Sequence, residues 1–241
     1  MQQKVYELNL AGHPLRLSFL NEQTCHLLHL RPLPVETPVN FHLPLRSFET
    51  WRTALPESYS DAYAEYCALV DPVCRYLLRY DCCLFHAVAF CWQDRAWLLT
   101  APPHTGKTTQ FLNWQRLFPG EIRMICGDMP VLEAREDGSL WVHPSAWNGR
   151  ECLAGAPAAP LGGLVLLEQA QEDRIVPLSL HTDLTPLLCQ FLCEPETEDE
   201  IRRIAFLLER LLSAAPAWKL CNRGGDDSTR LLRDTLLCTL P

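Results

Sequence analysis

Apolar and polar positions along the chain change period several times, and each change predicts an element. Lys4 to Leu10 and Leu15 to Leu20 alternate as half-buried strands do, and Ala11-Gly-His-Pro14 between them reads as a hairpin turn. A proline-rich connection (Pro32, Pro34, Pro38) leads to a third extended stretch, Val39 to Leu43. From Ser60 to Tyr80 the period becomes helical. Tyr63, Tyr66, Cys67, Val70, Val73, Leu77 and Leu78 share one broad face, and Pro72 predicts a kink or a split. Strand patterns then dominate: Cys83 to Cys91, Ala96 to Thr100, Arg123 to Cys126, Met129 to Ala134 and Leu140 to Val142, followed by Leu161 to Glu168 with Gly162-Gly163 at its start. Two helices, Thr185 to Leu192 and Glu198 to Ala214, are expected to close the fold, the second with acidic residues in its first turn. The alternation after residue 80 predicts an α/β protein with a mixed, strongly twisted sheet.

One junction in this pattern carries chemistry. The apolar stretch Ala96 to Leu99 enters a tight loop ending Gly106-Lys107-Thr108, and a helix-compatible segment, Gln110 to Leu117, follows at once. Strand, loop, Gly-Lys-Thr and helix form an arrangement that grips a polyphosphate. N–H groups and the helix N-terminus face the anion, the lysine reaches the β- and γ-phosphates, and the threonine hydroxyl holds Mg²⁺. Thr105, Gly106, Lys107, Thr108 and Thr109 are therefore the candidate nucleotide-binding residues. The alternative is an ordinary βα turn with a solvent-facing lysine. Ala101 stands where the usual pattern has its first glycine, Pro102 and Pro103 lack an N–H to donate, and His104 adds bulk.

Composition narrows the functional classes. The 241 residues carry a net charge of −8 with no basic block, which argues against a nucleic-acid partner. A nucleotide needs only local positive charge. The N-terminal residues lack an apolar signal region and no run approaches the length of a membrane span, so a soluble, cytoplasmic chain without a membrane partner is expected. The twelve cysteines are scattered without a C-x-x-C. They are expected as reduced thiols, with Cys91 and Cys238 acting as small hydrophobes, and Cys189 with Cys193 make a poor metal pair.

Three further stations fit phosphate chemistry. His86 ends a short apolar segment one strand ahead of the loop. Asp128 follows the apolar stretch Ile122 to Cys126, as a carboxylate does when it binds Mg²⁺ or accepts a proton from an attacking hydroxyl. Trp147-Asn-Gly-Arg150-Glu151 follows Trp141-Val-His143 and offers an arginine to phosphate charge. Taken singly, each has an ordinary alternative: a core histidine, a Gly-Asp turn, a surface loop.

The order of these stations resembles the HPr kinase/phosphorylase-like proteins, whose nucleotide core is similar to that of the phosphoenolpyruvate carboxykinases. There a histidine-bearing strand precedes the phosphate loop by one hairpin, as His86 precedes Ala101 to Thr108. The family loop, typically G-P-S-G-x-G-K-S/T, aligns without gaps with A-P-P-H-T-G-K-T. Cys126-Gly127-Asp128 matches an acidic residue after the next strand, Trp147-Asn-Gly-Arg-Glu151 resembles Trp-x-Gly-Lys-Glu, and Leu164-Val-Leu-Leu-Glu168 resembles a strand ending Leu-Glu. Leu220-Cys-Asn222, with the acidic stretch and short helix after it, also fits.

The resemblance spans roughly residues 80 to 238. It implies a P-loop-containing sheet of HPr kinase/phosphoenolpyruvate carboxykinase type with flanking helices. Residues 1–80 would form a small N-terminal β layer plus a helical segment packed on a kinase-like core, 81–241. It also implies ATP with Mg²⁺ and phosphoryl transfer to a serine hydroxyl of a protein, peptide or small molecule. Lys107 would bind the β/γ-phosphates, Thr108 the metal, and Asp128 would be metal ligand or base. His86 would sit beside the metal and γ-phosphate, and Arg150 would replace the family's lysine. The single Asp128, where the best-known members carry a doubled carboxylate, weakens the phosphorylase half of the analogy. A non-catalytic nucleotide-binding relative and a small-molecule enzyme of carboxykinase type stay open, as does a homo-oligomeric state.

Overall fold

A computed structural model describes residues 4–34, 37–149 and 155–239. The chain opens with a hairpin, β1 (Tyr6–Leu10) and β2 (His13–Leu17). Its tight turn is Ala11-Gly12, both at positive φ (50° and 84°), so His13 and Pro14 belong to the second strand. A short helix α1 (Thr24–Leu27) follows. The stretch 39–43 is not a strand; the N–H groups of Asn40 and Phe41 both donate to the Arg16 carbonyl. Helix α2 (Leu45–Ala54), which buries no residue, comes next.

The long helical pattern is divided into α3 (Asp61–Ala68) and α4 (Val70–Leu78). The division falls just ahead of Pro72, whose missing N–H leaves the Ala68 carbonyl without its intrahelical donor. Glu65 on α3 is buried, and its carboxylate accepts from the Leu20 and Asn21 N–H groups (2.6 and 2.9 Å) and the Thr24 hydroxyl (2.6 Å). This clamps the end of the hairpin onto the helices.

The expected single strand over 83–91 is two strands, β3 (Cys82–Leu84) and β4 (Ala87–Trp92), parted at Phe85-His86. β5 (Arg95–Thr100) leads into α5 (Lys107–Leu117), followed by β6 (Arg123–Cys126), β7 (Val131–Ala134), β8 (Leu140–His143) and β9 (Ala159–Gln169). Then come β10 (Arg174–Pro177), α6 (Leu180–Leu188) and α7 (Glu198–Ser213). Those helices do not close the fold: β11 (Ala217–Asn222) and α8 (Asp226–Leu237) follow them.

Strand β9 is the hub of a curled, mixed sheet. Leu161 to Leu166 pair in parallel with β5, and Leu164 to Gln169 pair in parallel with β11 on the other edge. Ala159 and Pro160 pair antiparallel with β8. The branch β8-β7-β3 therefore leaves at the start of β9, while β4 and β6 continue beyond β5. Alternate side chains of the central strands serve two cores. Ala87, Ala89, Cys91 and Leu98 face the core shared with the N-terminal hairpin, α4 and α7. Val88, Phe90, Trp92, Trp97 and Leu99 lie under Phe111 and Trp114 of α5 and Leu232 of α8. Strands covered on both faces read as nearly unbroken apolar runs, as these do. Gly163 has a steric reason: a Cβ there would stand 2.5 Å from the Trp97 ring, which stacks near Trp218.

All eleven described cysteines are free thiols; Cys91 is buried as expected, whereas Cys238 is exposed. Among the described residues, no helix is long and apolar enough to cross a membrane.

Candidate functional site

The loop after β5 turns on two left-handed residues, His104 (φ 62°) and Gly106 (φ 106°). Only glycine adopts this conformation without strain, and His104 stands where the kinase-family pattern carries one, so the backbone keeps the glycine-type turn without the glycine. The Thr105 hydroxyl donates to the Pro102 carbonyl (2.8 Å), and Gln169 at the end of β9 donates to the His104 carbonyl (3.3 Å). Helix α5 starts at Lys107 with no side-chain cap, and its first intrahelical bond is donated by Gln110 N–H to the Gly106 carbonyl. The N–H groups of Lys107, Thr108 and Thr109 thus precede the ladder, where an anion is stabilised by the helix dipole. Thr105, Gly106 and Thr108 are half-buried and Thr109 is exposed.

Lys107 does not project from this turn into solvent. Its side chain is only 8% exposed, and Nζ folds back over its own loop to donate to the carbonyls of Ala101 (2.9 Å) and Pro102 (3.3 Å). A solvent-facing lysine is therefore excluded. Burial pushes its pKa down to about 8, with Asp128 opposing the shift.

His86 and Asp128 face this lysine from the next strands. The Phe85-His86 break is stitched on both edges. Phe85 and Ala87 donate their N–H groups to the carbonyls of Pro130 and Asp128 (3.0 and 2.9 Å), and His86 N–H donates to the Gln190 carbonyl (2.8 Å). The Thr100 hydroxyl donates to the His86 carbonyl (2.8 Å), tying the break to the strand that feeds the loop. His86 Nε2 stands 3.6 Å from Asp128 Oδ1. Burial, and then the charge of Lys107, hold the imidazole below its usual pKa against the opposing pull of Gln190 and Asp128. The imidazole of His86 and the carboxylate of Asp128 thus lie side by side at this end of the sheet.

The segment after β8 packs on the Asp128 loop. Trp147 is fully buried, its indole N–H donating to the Tyr66 carbonyl (3.3 Å), and its own carbonyl accepts from Met129 N–H (3.0 Å). Asn148 Oδ1 accepts from Gly127 N–H (2.7 Å), and a Cβ on Gly127 would lie 2.4 Å from the Asn148 carbonyl oxygen. Asn148 therefore borders the Gly127-Asp128 turn. Arg150 and Glu151 lie outside the described residues.

Four residues of this region carry no signature in the sequence. Gln190, in the apolar run Leu187 to Leu192, reads as a helix end, yet it holds His86. Tyr66 reads as a core position of α3, yet it lies near Asp128: burial, then that carboxylate, raise its phenol pKa. Asn148 is legible only as half of an Asn-Gly turn. Gln110 is buried under the loop, its amide donating to Ser228 (2.7 Å) and Asn222 (3.3 Å) and accepting from Thr229 (2.7 Å), so it ties α5 to β11 and α8.

No protein-family model matches the chain, and no curated protein matches its sequence. Among solved structures it is similar to the HPr(Ser) kinase/phosphatase from Coxiella burnetii, at 15% identity. The match covers 64% of this chain and 97% of that one, with a TM-score of 0.37. This is a distant likeness of fold, too loose to carry an argument about activity.

Proposed function

We propose that the chain binds a nucleoside triphosphate on the loop Ala101 to Thr109 and transfers its γ-phosphoryl group to a hydroxyl acceptor, a serine of a protein or peptide or a small alcohol. The observation that carries this reading is the burial of Lys107 over its own loop, close enough to His86 and Asp128 for their charges to be felt. An ammonium group held in place by two carbonyls is poised to exchange them for phosphate oxygens. With Pro102 and Pro103 unable to donate, the N–H groups of His104 to Thr109 would form the cradle.

The donor set suits Mg²⁺. No group of three or more His, Cys, Asp or Glu side chains converges among the described residues, so an ion here would be held by Thr108, Asp128 and phosphate oxygens. Mg²⁺ favours such sparse protein ligation completed by phosphate and water. When bound it would neutralise phosphate charge. The chain's own residues bind the polyphosphate, position the acceptor beside His86 and Asp128, and accept its proton as the new oxygen–phosphorus bond forms and the bond to the leaving ADP breaks.

Titration calorimetry with ATP, with and without Mg²⁺, tests the pocket. Lys107→Ala is expected to weaken ATP binding at least tenfold, as loss of a phosphate-paired cation does. Asp128→Asn is expected to spare binding of metal-free ATP and abolish turnover; loss of the Mg²⁺-dependent part of the affinity would identify it as a metal ligand, and its retention as the base. Equal ATP affinity in wild type and Lys107→Ala would overturn the reading. Turnover against free serine, serine peptides and oxaloacetate separates a kinase from a carboxykinase-type enzyme. Tight ATP binding without turnover would point to a nucleotide sensor, a reading favoured by the proline-bearing half of the loop.

A further inference from the structure

Gln190 is buried at the end of α6, and its side-chain amide has two neighbours that fix its orientation. Gln190 Nε2 donates to the Pro186 carbonyl (2.9 Å), and Gln190 Oε1 lies 2.9 Å from His86 Nδ1. The reverse orientation would set the amide oxygen against the Pro186 carbonyl oxygen, two acceptors with no proton between them. Pro186 needs this side chain, because the Gln190 backbone N–H, its normal helical donor, bonds instead to the Leu187 carbonyl (3.0 Å). The atom facing His86 is therefore an acceptor. The backbone holds the pair together independently: His86 N–H donates to the Gln190 carbonyl, Leu192 N–H donates to the Leu84 carbonyl (3.1 Å), and the Phe85 and Phe191 rings pack edge to face.

We propose that Gln190 is a positioning residue that fixes His86 as the Nδ1–H tautomer, so that Nε2 turns a lone pair rather than a proton toward Asp128. An acceptor at Nδ1 demands the proton there, and a neutral ring then has none left for Nε2. The 3.6 Å spacing of Nε2 and Asp128 Oδ1 fits this assignment, being longer than the hydrogen bond an Nε2–H would make to a carboxylate. The consequence rests on the phosphoryl-transfer reading: His86 accepts the hydrogen bond of an incoming hydroxyl and leaves phosphate contacts to Lys107 and the loop N–H groups.

The tautomer itself is testable without nucleotide, so its failure is distinct from failure of that reading. In protein labelled with ¹⁵N at its eight histidines, the His86 signals are assigned by their loss in His86→Asn, and long-range ¹H–¹⁵N correlation at neutral pH reads each ring nitrogen. A pyrrole-type shift at Nδ1 and a pyridine-type shift at Nε2 are expected in the wild type. The opposite pair of shifts would overturn the proposal outright, with no variant required. Gln190→Leu should move His86 toward the Nε2–H form that neutral imidazole favours in water. A Gln190→Leu protein that still shows Nδ1–H would also overturn it. Where an acceptor substrate supports turnover, Gln190→Leu should lower kcat about tenfold.

Discussion

On the proposed reading, Lys107 is the residue whose state would change most on binding a polyphosphate. With its pKa at about 8, roughly half of the free protein holds it uncharged at pH 8. A polyphosphate favours the ammonium form, so binding restores the proton. Metal-free ATP should therefore take up about half a proton at pH 8 and almost none at pH 6.5, and affinity should fall as pH rises above 8. Calorimetry in buffers of different ionisation enthalpy measures this uptake, and Lys107→Ala should abolish it. His104 offers a second test at the same scale. Its left-handed backbone stores strain that glycine would relieve, so His104→Gly should stabilise the folded loop by about 1 kcal/mol. A small rise in melting temperature, with ATP affinity unchanged or improved, is the expected result. A fall in melting temperature would mean that the histidine side chain holds the loop.

Among the elements, the junctions rather than the strands build the site. The break between β3 and β4 exposes the edges of Phe85-His86 to the Asp128 loop on one side and to Gln190 on the other. The Asp128 loop is in turn pressed against the segment after β8 at Gly127, where any side chain would strike the Asn148 carbonyl. Gly127→Ala should therefore push the two segments apart and destabilise the fold by about 2 kcal/mol, as overpacking does. Because the shift falls beside Asp128, turnover should drop further than stability alone explains. Chemical denaturation alongside ATP turnover separates the two effects. Unchanged stability would show that the Asn148 segment yields freely.

Over the whole molecule, the N-terminal hairpin and the strands around the site share one apolar core, in which Leu8, Leu15 and Leu17 belong with Leu77, Leu84 and Leu98. Glu65 joins the segment after the hairpin to the helices by accepting from the Leu20 and Asn21 N–H groups and the Thr24 hydroxyl. Glu65→Ala is expected to cost about 3 kcal/mol, through the loss of three hydrogen bonds to a charged acceptor. In a chain of this size that lowers the melting temperature by about 6–12 °C. Scanning calorimetry should show the entire transition moving as one. A separate low-temperature step would mean that the N-terminal layer unfolds by itself.

The sequence by itself determined the elements whose physics is local. The strand–loop–helix over 96–117 was legible because alternation, a tight loop and a helical stretch need no partner to be read, and β6, β7, β8 and β9 were legible as bounded apolar runs. Positions where a short-range rule is overridden were not. Cys83 to Cys91 reads as one strand because every residue is apolar or tolerated in a sheet, and only pairing with segments near residues 128 and 190 divides it. Strand β11 and helix α8 entered the reading only through the resemblance at Leu220 to Asn222 and the short helix after it, and the place of β11 is set by parallel pairing to β9, some 50 residues earlier in the chain. The same holds for the chemistry. His86, Asp128 and Lys107 could be named from their order, but that Lys107 is buried and that Gln190 faces the imidazole depends on contacts between distant segments. Side-chain burial and the approach of Gln190 to the imidazole are properties of those contacts, so only the tertiary structure decided them.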